Sequence, residues 1–166
     1  MDFAPLQLMQ RLRQHHGIEH ATMQLLSQRL PGTLLVAHSD CHGFVVFGAV
    51  DRVTLQAAAE EAVERLQHGE RQLAVHPNCG TNLTAAGFLS GTAAWLLSRG
   101  RSRPWWDRLA GAILGATLAL LVAPPVGRWA QENITTSPEV TGLRVGAVLR
   151  SEGGHTVRHR VIIEHG

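Results

Sequence analysis

At 166 residues the chain has the length of one domain, enough for a real core and too little for two independent ones. Its positive charge is carried by arginine alone, fifteen against thirteen acids for a net +2 and a pI near 9.0, and no basic arm of the kind that tracks nucleic acid is present. Two cysteines, Cys41 and Cys79, are too few for a disulfide framework and leave the compartment open.

The first segment, Asp2 to Leu30, reads as a helix with Asp2 as N-cap, Pro5 in the first turn and Pro31-Gly32 as a stop. Leu8 and Leu12 start an i, i+4 ridge that continues to His16 and His20, so both imidazoles are expected on the packing face, with Gly17 weakening the helix there. Thr33 to Ala37 and Gly43 to Val50 read as a β-hairpin around the polar residues from His38 to His42. Residues 52 to 68 form an amphipathic helix, with Leu55, Ala58, Ala59, Ala62, Val63 and Leu66 on one face and Glu60, Glu61 and Glu64 on a solvated one.

Leu83 to Ser98 and Leu109 to Val126 are sixteen and eighteen residues without a charge, near the lower limit for crossing a hydrocarbon core of about 30 Å. All four tryptophans, Trp95, Trp105, Trp106 and Trp129, sit at or near the ends of these segments, where the headgroup layer favours them. Each segment holds Gly-x-x-x-Gly, Gly87 with Gly91 and Gly111 with Gly115, a spacing for close helix pairing or a homo-oligomer. Pro124-Pro125 is expected to end the second helix.

Beyond Thr135, Thr136, Ser137 and Pro138, the runs Leu143 to Leu149 and Thr156 to Ile163 read as a second hairpin about Ser151 to Gly154. The expected architecture is α+β: a small mixed β-sheet with covering helices and an inserted two-helix transmembrane hairpin. The corresponding parts are 1–82, 83–129 and 130–166, the last completing the first. Both termini then lie on one side of a bacterial cytoplasmic membrane. Arg99, Arg101 and Arg103 in the connecting loop would place those termini outside by the positive-inside rule. An N-terminal part without a basic, apolar, cleavable leader reads as mature protein and favours termini inside.

His16-Gly-Ile-Glu19-His20 matches H-x-x-E-H, the pattern of inverted zinc peptidases. Two histidines four apart on one helical face reach one Zn²⁺, and the adjacent Glu19 is placed to take a proton from metal-bound water. The glutamate that such peptidases supply far downstream has no counterpart, so the resemblance covers five residues. His76 is the preferred third ligand. It opens His76-Pro-Asn78-Cys79-Gly-Thr-Asn82, a turn-rich polar cluster in front of the first apolar helix. Cys79 as a fourth ligand would close a tetrahedral, structural site. Asn78 and Asn82 are candidate oxyanion donors. His38 and His42 flank Cys41 at ligand-like spacing in a turn read as an exposed loop, and His155, His159 and His165 read as solvent-facing on a strand.

The pairing of Glu19-His20-Ala21-Thr22 with His76-Pro-Asn-Cys-Gly-Thr-Asn82 resembles an uncharacterised bacterial membrane family, a domain of unknown function. The likeness extends to the Gly43 to Asp51 run, the helix ending Arg65-Leu66-Gln67, the apolar hairpin and Ile134-Thr-Thr136. It implies membrane location and a shared architecture and brings no activity with it. Two functions are expected from the residues. One is a membrane-anchored zinc hydrolase, peptidase-like, with His16, His20 and His76 on the metal, Glu19 as base, and a peptide or membrane-protein substrate near the lipid. The other is a non-enzymatic membrane scaffold or assembly module in which the same residues form a structural metal site or hydrogen-bond network.

Overall fold

Proline at the first turn and Pro31-Gly32 beyond the last bound helix α1, Pro5–Arg29, with Gly32 at φ 80° where only glycine turns without strain. The computed structural model describes residues 5–100, 104–153 and 156–166. In chain order there follow β1 Leu35–Asp40, β2 Gly43–Gly48, α2 Arg52–Gln67, a 3-10 turn Arg71–Ala74, α3 Gly80–Leu97, α4 Trp105–Ala130, a π-helical turn Gln131–Thr135, β3 Leu143–Gly153 and β4 Thr156–His165. The expected Asp2 cap, Arg101 and Arg103 in the loop, His155 and part of the second hairpin turn lie outside the described residues.

The chain divides into two units, one made of the residues up to His76 and from Glu132 onward, the other of Pro77–Gln131. The first is α+β. Its four strands lie in the order β1-β2-β4-β3, and the late hairpin joins the early one through β2 and β4, with Phe44 opposite Val161. All three strand pairings are antiparallel, which corrects the mixed sheet to an antiparallel one. The two hairpins are joined by a crossover: the chain leaving β2 passes through the helices and reaches β3 beyond β4, so β2 and β3 run parallel with β4 between them.

Alternation puts Phe44, Val46, Val148, Val161 and Ile163 on the buried face, against Ile18, Leu25 and Leu26 of α1 and the apolar stripe of α2. That stripe, Leu55, Ala58, Ala59, Ala62, Val63 and Leu66, is buried as its spacing predicts. Asp51 caps α2, its Oδ1 accepting the Thr54 N–H at 2.9 Å. Glu60 and Glu64 are exposed, and Glu61 pairs with Arg29 and Arg65 at the surface. On α1 burial begins only at His15. Leu8 and Leu12 are 46% and 43% exposed, so the ridge they start is covered only where the sheet and α2 meet the helix, along its second half. His159 is also a correction. It shares a face with Val161 and Ile163, is fully buried, and neither ring nitrogen has a hydrogen-bond partner among the described residues.

The second unit is an antiparallel pair of helices. A β-carbon on Gly111 would stand 2.5 Å from the Leu97 carbonyl oxygen and one on Gly115 2.7 Å from that of Ala93, so the Gly-x-x-x-Gly of α4 receives the α3 backbone. Gly87 and Gly91 of α3 have open space where a β-carbon would go and take no part in this contact. Helix α4 continues through Pro124 and Pro125 to Ala130 instead of stopping. Its last turns are held from α3: Gly127 lies against Asn82, and Gln131 Nε2 donates to Asn82 Oδ1 at 2.8 Å. Tertiary contact here outweighs the lost proline N–H groups.

Among the described residues one helix is long and apolar enough to cross a membrane. It is α4 with its π-helical continuation, Trp105–Thr135, and only 11% of its most apolar window is buried. The expected second spanning helix falls short, because the 18-residue α3 carries Thr81, Asn82, Thr84, Ser90 and Thr92 among its apolar residues.

Candidate metal centre

From Arg13 onward α1 carries polar side chains that bind backbone carbonyls of the same unit. Arg13 donates to the carbonyls of Asn133 and Thr136 at 3.0 and 3.1 Å, and Gln14 donates to that of Glu139 at 2.7 Å. Gln24 Nε2 donates to the carbonyls of Leu73 and Val75, both at 2.9 Å. Residues 73–75 lead toward the helical unit and 133–139 lead away from it, so one helix face straps both connections. Gly17 is part of the strap, since a β-carbon there would stand 2.4 Å from the Ser137 carbonyl oxygen. The glycine that weakens the helix by sequence is what admits the neighbouring chain.

His16 and His20 belong to the same face. His16 Nδ1–H donates to the Thr135 carbonyl at 2.9 Å, and His20 Nδ1–H to the Ala74 carbonyl at 2.8 Å. A carbonyl only accepts, so in its neutral form each ring carries the proton on Nδ1 and the lone pair on Nε2. This is the arrangement by which backbone carbonyls orient metal-ligating histidines. The two rings meet edge to face with centroids 4.3 Å apart, and His76 brings a third ring to 5.8 Å from His20. Around a tetrahedral ion with metal–nitrogen bonds of about 2.0–2.1 Å, imidazole centres stand about 5 Å apart. The two observed separations bracket that value.

Three neutral imidazoles suit zinc, and also copper or nickel. Glu19, between the two histidines in sequence, is buried at 7% exposure. The cleft next to this group has a volume of about 380 Å³. It is lined by Arg71, Gln72, Ala74 and Val75 on one side and Glu132, Thr136 and Pro138 on the other, so the residues whose carbonyls orient the rings, or their neighbours, form its walls.

The unit up to His76 thus gathers His16, His20 and His76. Asn78, Cys79 and Asn82 belong to the helical unit. There Cys79 is the N-cap of α3, its Sγ accepting the Thr81 N–H at 3.4 Å. Asn82 donates through Nδ2 to the Pro77 carbonyl at 2.7 Å and accepts from Gln131, which ties its amide to the helix pair. Asn78 is exposed.

Sequence reasoning missed a second histidine pair. His15 is wholly buried, its Nδ1–H donating to the Asp40 carbonyl at 2.7 Å and its Nε2 lying 3.1 Å from Nε2 of His165. Burial pushes the pKa of both rings below the ordinary histidine value. The signal for it was the His15-His16 doublet, whose two members necessarily leave the helix about 100° apart and serve different neighbours.

No solved structure matches the chain. An uncharacterized protein of Picosynechococcus sp. is 38% identical over 151 residues, covering 82% of this chain and 72% of that protein. A family model matches residues 11–148, a span that contains α1 from its first buried residue, both strands of the early hairpin, the histidine group and the helix pair. The chain therefore belongs to the family described as a domain of unknown function, DUF6391.

Proposed function

We propose that this protein is a membrane-anchored, zinc-dependent hydrolase of peptidase type, with His16, His20 and His76 as metal ligands. One observation carries the reading: two histidines one helical turn apart have their Nδ1–H groups fixed on backbone carbonyls, so their Nε2 lone pairs are preset for a metal that a third ring approaches. Zinc so held would supply a bound water acidic near neutral pH and a Lewis acid for a carbonyl. In this reading Glu19 would be the general base, accepting a proton from the attacking water and returning it to the leaving group. The cleft beside Ala74 and Thr136 receives the substrate backbone. Asn78 and Asn82 are the candidates the sequence offers to steady an oxyanion.

Helix α4 is the proposed membrane anchor. Trp105 and Trp106 stand 24 and 23 residues before Trp129, about 35 Å along a helix, close to the thickness of a hydrocarbon core. All three rings are exposed, as a headgroup-layer position requires. The substrate would be a peptide segment near the lipid surface.

A second reading, a scaffold with a structural metal site, is favoured by the same Nδ1 bonds, because they also clamp both connections to the helix pair. A closed site needs a fourth protein donor, and the sequence offers Cys79 three residues after His76. The variant Glu19→Gln separates the two. Under the hydrolase reading it keeps its zinc and loses peptide hydrolysis by about 10²-fold or more; wild-type turnover in that variant would refute the mechanism.

A further inference from the structure

The turn between β1 and β2 brings together three donor atoms of different chemistry. Asp40 ends β1, Cys41 and His42 form the turn, and Gly43 begins β2. Cys41 Sγ lies 3.4 Å from His42 Nδ1, which lies 3.9 Å from Asp40 Oδ1, and a ligand atom from each residue falls within 4.8 Å of the other two. Around a tetrahedral ion with a metal–sulfur bond of about 2.3 Å and a metal–nitrogen bond of about 2.0 Å, the two donors stand about 3.5 Å apart. The thiol and imidazole are therefore already at ligand spacing, and the carboxylate is a small rotation away.

The turn is also rigid. The His42 N–H donates to Asp40 Oδ1 at 2.8 Å, Arg160 of β4 grips the same carboxylate at 2.5 and 2.7 Å, and the Ile163 N–H donates to the His42 carbonyl at 3.0 Å. A β-carbon on Gly43 would stand 2.1 Å from the Val161 carbonyl oxygen, so glycine is needed for this approach to β4. Arg160 decides the class of ion. A calcium or magnesium ion would find one carboxylate, already paired, whereas a softer ion takes the thiolate and imidazole as its main ligands. His42 is exposed and Cys41 partly so, which leaves a path in and room for water.

We propose that Asp40, Cys41 and His42 form a second metal site, for a soft or borderline divalent ion such as zinc or cadmium. It lies within one hairpin turn and does not depend on the His16, His20 and His76 group. Cadmium titration of the detergent-purified full chain tests it through the thiolate-to-metal absorption band. In Cys79→Ser, where serine still caps α3 and Cys41 is the one thiol left, the band persists; in Cys79→Ser with Cys41→Ser it disappears. Adding His42→Ala to Cys79→Ser weakens cadmium binding by about tenfold or more. His16→Ala with His20→Ala leaves the Cys41 band in place. Absence of a band in Cys79→Ser, or indifference to His42→Ala, would overturn the proposal. Alkylation of Cys41 by iodoacetamide gives a second readout: saturating zinc slows it by about tenfold in the wild type and not in His42→Ala. Equal rates with and without zinc in the wild type would equally overturn it.

Discussion

A β-carbon at Gly17 would meet the Ser137 carbonyl oxygen at 2.4 Å, and the Ser137 N–H donates to the Arg13 carbonyl at 2.9 Å. Backbone lies against backbone there, so nothing flexible can yield. Gly17→Ala is expected to cost about 1–3 kcal/mol in spite of alanine's better helix propensity, read from thermal unfolding in detergent; a stabilised variant would mean that the segment is not seated on α1. His159 poses the opposite case, a buried imidazole with no hydrogen bond. Burial first, then Arg150, push its pKa down, with Asp51 opposing. The unfolded chain then binds the proton more readily than the folded one, so stability is full above the ordinary histidine value of 6.5 and falls as pH drops below it. His159→Leu removes the unsatisfied group and is expected to add about 1–3 kcal/mol and to flatten this acid limb, as denaturant melts between pH 5 and 8 would show. An unchanged limb would assign the acid sensitivity to other residues.

At the scale of elements, the two Gly-x-x-x-Gly motifs look alike in sequence and differ in use. Gly115 lies against the Ala93 backbone, while Gly87 faces open space. Gly115→Leu is therefore expected to separate α3 from α4 and lower the unfolding temperature of the detergent-solubilised chain, with Gly87→Leu near wild type. Equal effects would contradict the packing described. Motif spacing alone could not make this distinction, because it depends on which face each helix turns toward the other. The fate of Pro124-Pro125 was hidden for the same reason: the contacts of Gly127 and Gln131 with Asn82 are tertiary. By contrast the α2 stripe and both hairpins were legible, since each repeats with the period of its own element.

For the molecule as a whole, the α+β class and the joining of early and late hairpins in one sheet followed from local patterns, although its antiparallel sense and the register linking Phe44 to Val161 did not. The i, i+4 spacing of His16 and His20 and the turn-rich context of His76 pointed to one group, and the structure brings the three rings near one another. What spacing could not reveal is the α1 strap, because the partners of Arg13, Gln14, His16, His20 and Gln24 are carbonyls 49 to 125 residues away. The strap gives the histidine face two tasks, to hold the connections of the helix pair and to present Nε2 lone pairs. The central claim is that those lone pairs hold a metal. Elemental mass spectrometry of detergent-purified protein tests it most directly, comparing Cys41→Ser, which removes the turn site, with the same chain carrying His16→Ala and His20→Ala. The account predicts about one zinc per chain in the first and none in the second; equal metal content in the two, or none in either, would contradict it.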